Sequence, residues 1–93
     1  MSELLGKKIL IADDEQDITD FLTYTLKKEG CDVKAVHNGS DAVSENKSFK
    51  PDLVILDLMM PGIDGIEACF QIRQDPSNNN PKILFLTARN EEY

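Results

Sequence analysis

Two short apolar runs, Ile9-Leu10-Ile11-Ala12 and Leu53-Val54-Ile55-Leu56, each end abruptly in acid: the first in Asp13 and Asp14, the second in Asp57. Continuous apolar runs of this length, bounded by turn signals, read as strands buried on both faces. Strands of that kind belong to parallel sheets covered by helices. A parallel sheet gathers the carboxyl ends of its strands along one edge, so the three carboxylates are expected to meet at one rim. That much negative charge in one place is costly unless a cation neutralises it, and hard oxygen ligands suit a divalent ion such as Mg²⁺.

The chain between and beyond these runs alternates in the same sense. The first strand is expected near residues 8 to 12 and a helix near 15 to 29, with Ile18, Phe21, Leu22, Thr25 and Leu26 at helical spacing. Asp14 stands at the N-cap position of that helix and Asp17 in the box position three residues on, and Gly30 stops it. A second strand covers 32 to 36, and Asn38-Gly39-Ser40 turns the chain into a weaker helix near 41 to 47, with Ser40 as the cap. The third strand, 53 to 57, follows Lys50-Pro51-Asp52. Asp64-Gly65 then starts a helix whose apolar face is Ile66, Cys69, Phe70 and Ile72. Residues 75 to 81 form a polar loop rich in Asn and Pro, and the fourth strand is Ile83-Leu84-Phe85-Leu86. Strand and helix in strict alternation are the mark of βαβ units.

Composition limits the functions open to such a fold. At 93 residues and 41% hydrophobic, the chain is at most one small domain with enough apolar content for a core. Its 17 acidic residues exceed its 10 basic ones, giving a net charge of −7. That surface repels phosphate backbones, which argues against nucleic-acid binding through this chain. No apolar run is long enough to cross a bilayer and no signal-peptide pattern is present, so the expected location is the cytoplasm. Cys31 and Cys69 lack metal-ligand spacing and read as small core residues. His37, the one histidine, has no ligand partner near it in sequence and reads as a surface turn residue, while Asp41, Glu45, Glu91 and Glu92 read as solvated faces.

Three motifs in order carry a resemblance to a known family. Asp13-Asp14 after the first strand, Leu56-Asp57-Leu58-Met59-Met60-Pro61-Gly62-Ile63-Asp64-Gly65 after the third, and Leu86-Thr87-Ala88 after the fourth resemble the receiver domain of bacterial two-component response regulators. The match runs from about Lys8 to Ala88. It implies a three-layer, doubly wound α/β fold of the flavodoxin-like type. It also implies that Asp57 is a phosphoacceptor, taking a phosphoryl group from a sensor histidine kinase or phosphotransfer protein. By the same resemblance Asp14 binds Mg²⁺ directly, Asp13 acts on the ion through water, the Met59 backbone carbonyl completes the shell, and the Thr87 hydroxyl meets the phosphoryl group in the active state.

Elementary chemistry agrees with these assignments. Phosphoryl transfer to a carboxylate needs in-line positioning and charge neutralisation more than covalent help. A second possibility, a receiver-like interaction module not switched by phosphorylation, is disfavoured by the intact Asp13, Asp14, Asp57 and Thr87. A phosphatase of the haloacid-dehalogenase type would need a second acid two residues after the nucleophile, where this chain has Met59.

Receiver domains continue through a fourth helix, a fifth strand ending in a lysine, and a fifth helix. The sequence stops at Tyr93, so the resemblance implies a domain over residues 1–93 that is incomplete at its C-terminal end, with strand order 2-1-3-4 and the fifth position empty. The lysine that would pair with the phosphoryl group is absent, which favours the interaction-module alternative. The fourth strand would become an open apolar edge, and the expected consequence is a homo-oligomer or the exchange of an element between chains.

Overall fold

The computed structural model describes residues 3–77 and 79–86; Thr87 and the segment after it lie outside the described residues. The elements run β1 (Lys8–Ala12), α1 (Gln16–Lys28), β2 (Asp32–Val36), α2 (Gly39–Phe49), β3 (Leu53–Asp57), α3 (Gly65–Gln74) and β4 (Lys82–Leu86). The four strands form one parallel sheet in the order β2-β1-β3-β4, the order expected from sequence.

Alternation along the strands divides the interior in two, because successive side chains point to opposite faces. Leu10, Ala12, Val54 and Leu56 face α2 and α3, where Ala42, Phe49, Met60, Ala68 and Ile72 complete one core. Ile9, Ile11 and Ile55 face the other way, with Cys31 and Val33, and α1 covers them with Leu22 and Leu26. One helix on one face and two on the other make the three-layer, doubly wound arrangement. At the amino end of the sheet, Asp52 clasps β1 through Lys8 N–H to its Oδ2 at 2.8 Å.

The helices depart from their expected details in instructive ways. The N-cap of α1 is Glu15, not Asp14, and it makes no side-chain cap bond; the nearby Asp13 carboxylate instead accepts the Glu15 N–H at 2.8 Å in a local turn. The buried residue of α1 is Thr19, and Ile18 and Phe21 are exposed. The face that packs is thus rotated by roughly a fifth of a turn from the centre of the apolar stripe. In α2 the cap is Asn38, whose Oδ1 accepts the Asp41 N–H at 2.7 Å, so the helix begins earlier than a Ser40 cap would allow. The cap of α3 is Asp64, as expected, accepting from Glu67 N–H at 2.9 Å.

The buried face of α3 consists of Gly65, Ala68 and Ile72, with Cys69 partly buried beside it, while Ile66 and Phe70 are exposed. Small residues face inward there because the helix start lies close against the exit of β3. A Cβ on Gly65 would sit 2.9 Å from Leu58 Cα and closer still to the Asp57 carbonyl. Cys31 is buried as expected, and burial, with the Glu29 charge beside it, pushes its thiol above the ordinary range. The fourth strand is not interior among the described residues: it pairs with β3 alone, and Leu84 is 53% exposed.

Candidate functional site

Strand order alone brings the acidic residues together. Asp57 is the last residue of β3 and lies in register with Leu86 of β4, and the next residue, Leu58, donates its N–H to Leu86 O at 3.1 Å. Asp13 follows β1, which is the neighbour of β3, and its N–H donates to Val36 O at the end of β2 at 3.2 Å. The carboxyl ends of all four strands therefore converge. One oxygen from each of Asp13, Asp14 and Asp57 lies within 4.8 Å of the other two.

These three carboxylates have different surroundings. Asp13 is 5% exposed and uses Oδ1 for the Glu15 N–H, which leaves its other oxygen as a donor atom. Asp14 is exposed, and Asp57 is half-buried with Oδ1 3.3 Å from the Met59 N–H. Carboxylates this close repel one another, and an all-oxygen donor set with an open side fits a hard divalent cation that keeps several waters. The donor set therefore fits Mg²⁺ on the chemistry of the residues present.

An open cleft of about 670 Å³ adjoins the cluster, lined by Asp14, Leu58, Met59, Met60, Pro61, Gly62, Asp64 and Ile66. Gly62 turns the loop with φ +78°, a conformation that glycine adopts without steric cost. Met60 packs into the core beneath, whereas the Met59 side chain is 69% exposed over the cleft. Met59 is thus not a packing residue, and its main chain follows Asp57 by two residues on the same loop.

The structure brings Asp13, Asp14 and Asp57 together and places Met59 at the cleft beside them; Thr87 falls outside the described residues. His37 departs from its sequence reading as a surface turn residue: it is half-buried, and its Nε2 lies 3.2 Å from the Thr19 hydroxyl. Asp64, read from sequence only as the start of a helix, also lines the cleft.

Comparison with known proteins agrees with this geometry. The model of the response regulator receiver domain family matches residues 9–93. The alkaline phosphatase synthesis transcriptional regulatory protein PhoP of Bacillus subtilis is 44% identical over 89 residues, covering 96% of this chain and 36% of that protein. The chain therefore spans little more than a third of that relative. Among solved structures, the N-terminal domain of a response regulator receiver protein from Methanoculleus marisnigri superposes with a TM-score of 0.84 at 31% identity, covering 92% of this chain and 70% of the other. The chemotaxis response regulator CheY4 of Vibrio cholerae gives 0.85 at 27% identity, covering 92% and 72%. The chain belongs to the response regulator receiver domain family, the input domains of two-component signalling systems.

No helix among the described residues is long and apolar enough to cross a membrane.

Proposed function

We propose that this chain accepts a phosphoryl group on Asp57 from a phosphohistidine of a sensor histidine kinase or phosphotransfer protein, in the cytoplasm, with Mg²⁺ as cofactor. The observation that carries the reading is the gathering of Asp13, Asp14 and Asp57 oxygens within 4.8 Å beside an open cleft. Asp13, Asp14, Asp57 and the Met59 carbonyl would hold the ion. When bound, Mg²⁺ supplies neutralisation of the charge carried by the phosphoryl oxygens.

The remaining chemistry belongs to the protein. A carboxylate oxygen of Asp57 attacks phosphorus in line with the leaving imidazole nitrogen. An O–P bond forms as the N–P bond breaks, the electron pair stays on the imidazole, and the product is an acyl phosphate. Asp57 is well placed for this because it ends β3 in register with Leu86 of β4, while its carboxylate stands with those of Asp13 and Asp14. The Met59 N–H near its Oδ1 orients the carboxylate. The Thr87 hydroxyl is the group assigned to the phosphoryl oxygens after transfer. The domain acts as a signalling element that is modified once per event, not as an enzyme turning over a substrate.

Acetyl phosphate with Mg²⁺ tests this reading directly. Mass spectrometry should find one alkali-labile phosphoryl group on Asp57 and none in Asp57→Asn; label on a Ser, a Thr or another Asp of the folded chain would overturn the assignment. Calorimetric titration of Asp14→Ala should show clearly weaker Mg²⁺ binding than the parent, and equal affinity would remove Asp14 from the ion.

A net charge of −7 supports partners other than nucleic acid for this chain. Among the described residues β4 pairs with β3 alone and Leu84 is exposed, which supports self-association along that strand. Sedimentation over a range of concentrations should show a mass that rises with concentration, and a monomer at every concentration would refute it.

A further inference from the structure

Asp14 is an exposed residue in a short connection, so something beyond its own contacts must hold it in place. The segment 13–19 is pinned at its start by β1 and by the Asp13 N–H to Val36 O bond at 3.2 Å. At its far end, the N-cap of α1 contributes no side-chain bond. Thr19 instead ties down that first turn through its side chain. It is 1% exposed, its hydroxyl donates to Gln16 O at 3.0 Å, and His37 Nε2 lies 3.2 Å from the same oxygen. A hydroxyl has one proton, and here it is given to Gln16; the oxygen then accepts, and the imidazole donates from Nε2.

His37 follows directly on Val36, the residue whose carbonyl receives the Asp13 N–H. Two consecutive residues at the end of β2 therefore grip both ends of the segment that carries Asp14: Val36 by the main chain at Asp13, and His37 by the side chain at Thr19. We propose that Thr19 and His37 are positioning residues, a clasp that fixes the first turn of α1 and, through it, the placement of Asp14 toward a divalent cation. Neither touches the reacting atoms. The proposal deepens the cation-dependent reading above and rests on it.

The clasp accounts for several otherwise separate facts. Thr19 is the buried residue of a helix whose Phe21 is left outside, and a polar side chain this buried is stable only when its hydrogen bonds are met. His37 is drawn inward from a turn where solvent exposure was expected. Side chains that orient metal ligands directly change affinity by about 10- to 100-fold when removed. A clasp acting through the intervening main chain is a weaker lever, with the scale of one hydrogen bond, about two- to tenfold.

The test combines Mg²⁺ titration by calorimetry with amide hydrogen exchange of residues 16–20 measured without the ion, on Thr19→Val, His37→Ala and the double variant. Thr19→Val keeps the shape and removes the hydroxyl. Each single variant should weaken Mg²⁺ binding by about two- to tenfold and speed exchange in the first turn, and the double variant should be little worse than either. His37→Gln, whose side-chain amide can donate from a comparable position, should recover most of the affinity, which a purely volume-filling role would not produce. Unchanged affinity in both single variants, or losses that simply add, would overturn the clasp. Failure of the parent itself to bind Mg²⁺ would overturn the cation reading instead, and the exchange arm would then decide the clasp: unchanged first-turn exchange in both single variants sinks it.

Discussion

Gly65 offers a sharp test of how the site is built, because a single methyl there strikes the main chain that carries Asp57. A Cβ at Gly65 would lie 2.9 Å from Leu58 Cα and 3.1 Å from the Asp57 carbonyl carbon, with the carbonyl oxygen nearer still. These are backbone atoms, which cannot swing away as a flexible side chain would. Relief requires either that α3 withdraw from the sheet or that the end of β3 shift. The second is resisted by Leu58 N–H to Leu86 O and by Gly65 N–H to Leu58 O at 3.0 Å, so both movements strain existing bonds. Overpacking of this kind costs about 1–3 kcal/mol. Taking about 2 kcal/mol and a urea dependence of about 1.5 kcal/mol per molar, the midpoint of unfolding of Gly65→Ala should fall by roughly 1.3 M.

Gly62, in the same loop, separates this effect from a merely conformational one. Its φ is +78°, yet nothing lies within 4 Å of a Cβ built there. Gly62→Ala should therefore cost only the left-handed backbone strain, about 1–2 kcal/mol, with no push on Asp57. The two variants are expected to have comparable urea midpoints and different sites: Gly65→Ala should lose Mg²⁺ affinity and acetyl phosphate labelling rate well beyond Gly62→Ala. A Gly65→Ala chain with parental stability and parental labelling would refute the argument that helix α3 is held against Asp57 by the absence of a side chain.

Ile72 is fully buried in the core under α3, so Ile72→Ala should lower stability by about 2–5 kcal/mol in urea unfolding and should not alter labelling of the chains that remain folded. Asp75 accepts from the Ser77 N–H at 3.0 Å and the Ser77 hydroxyl at 2.8 Å, and these bonds hold its carboxyl below the ordinary carboxylate range. A folded value below the unfolded one means that its contribution is present at neutral pH and is lost as pH falls through the folded value. Asp75→Asn should therefore remove part of the acid dependence of stability below about pH 4, and an unchanged pH profile in thermal unfolding would count against it.

Strand positions were legible because parallel strands buried on both faces are written as unbroken apolar runs, and Ile9 to Ala12 and Leu53 to Leu56 are such runs. Helix faces were less so. In α1 the stripe through Ile18, Phe21 and Leu26 is wide enough to bury along more than one line, and the line chosen runs through Thr19, Leu22 and Leu26. Periodicity specifies that a helix has an apolar side, but the arc that meets the sheet depends on tertiary contacts, here including the hydroxyl of Thr19 beside a histidine just past the next strand. In α3 the reason is different: Gly65 and Ala68 face inward for their smallness, and an apolar count undervalues them in favour of Ile66 and Phe70.

The acidic cluster was the most legible part of the site because its geometry follows from the order of strands and from nothing finer. Once β1 and β3 are parallel neighbours with Ala12 in register with Leu56, Asp13 and Asp57 must stand side by side, whatever the surrounding side chains do. The Thr19 and His37 pair has no such warrant: 18 residues separate them, and only the packing of α1 over β2 brings their polar atoms within 3.2 Å. Chemistry carried by backbone register can be read from a single chain, whereas chemistry carried by side chains on elements that merely pack together cannot. It follows that in a relative sharing the same strand ends, the three carboxylates can persist while the device that steadies the first turn of α1 changes freely, so long as the buried polar groups of that turn find hydrogen-bond partners.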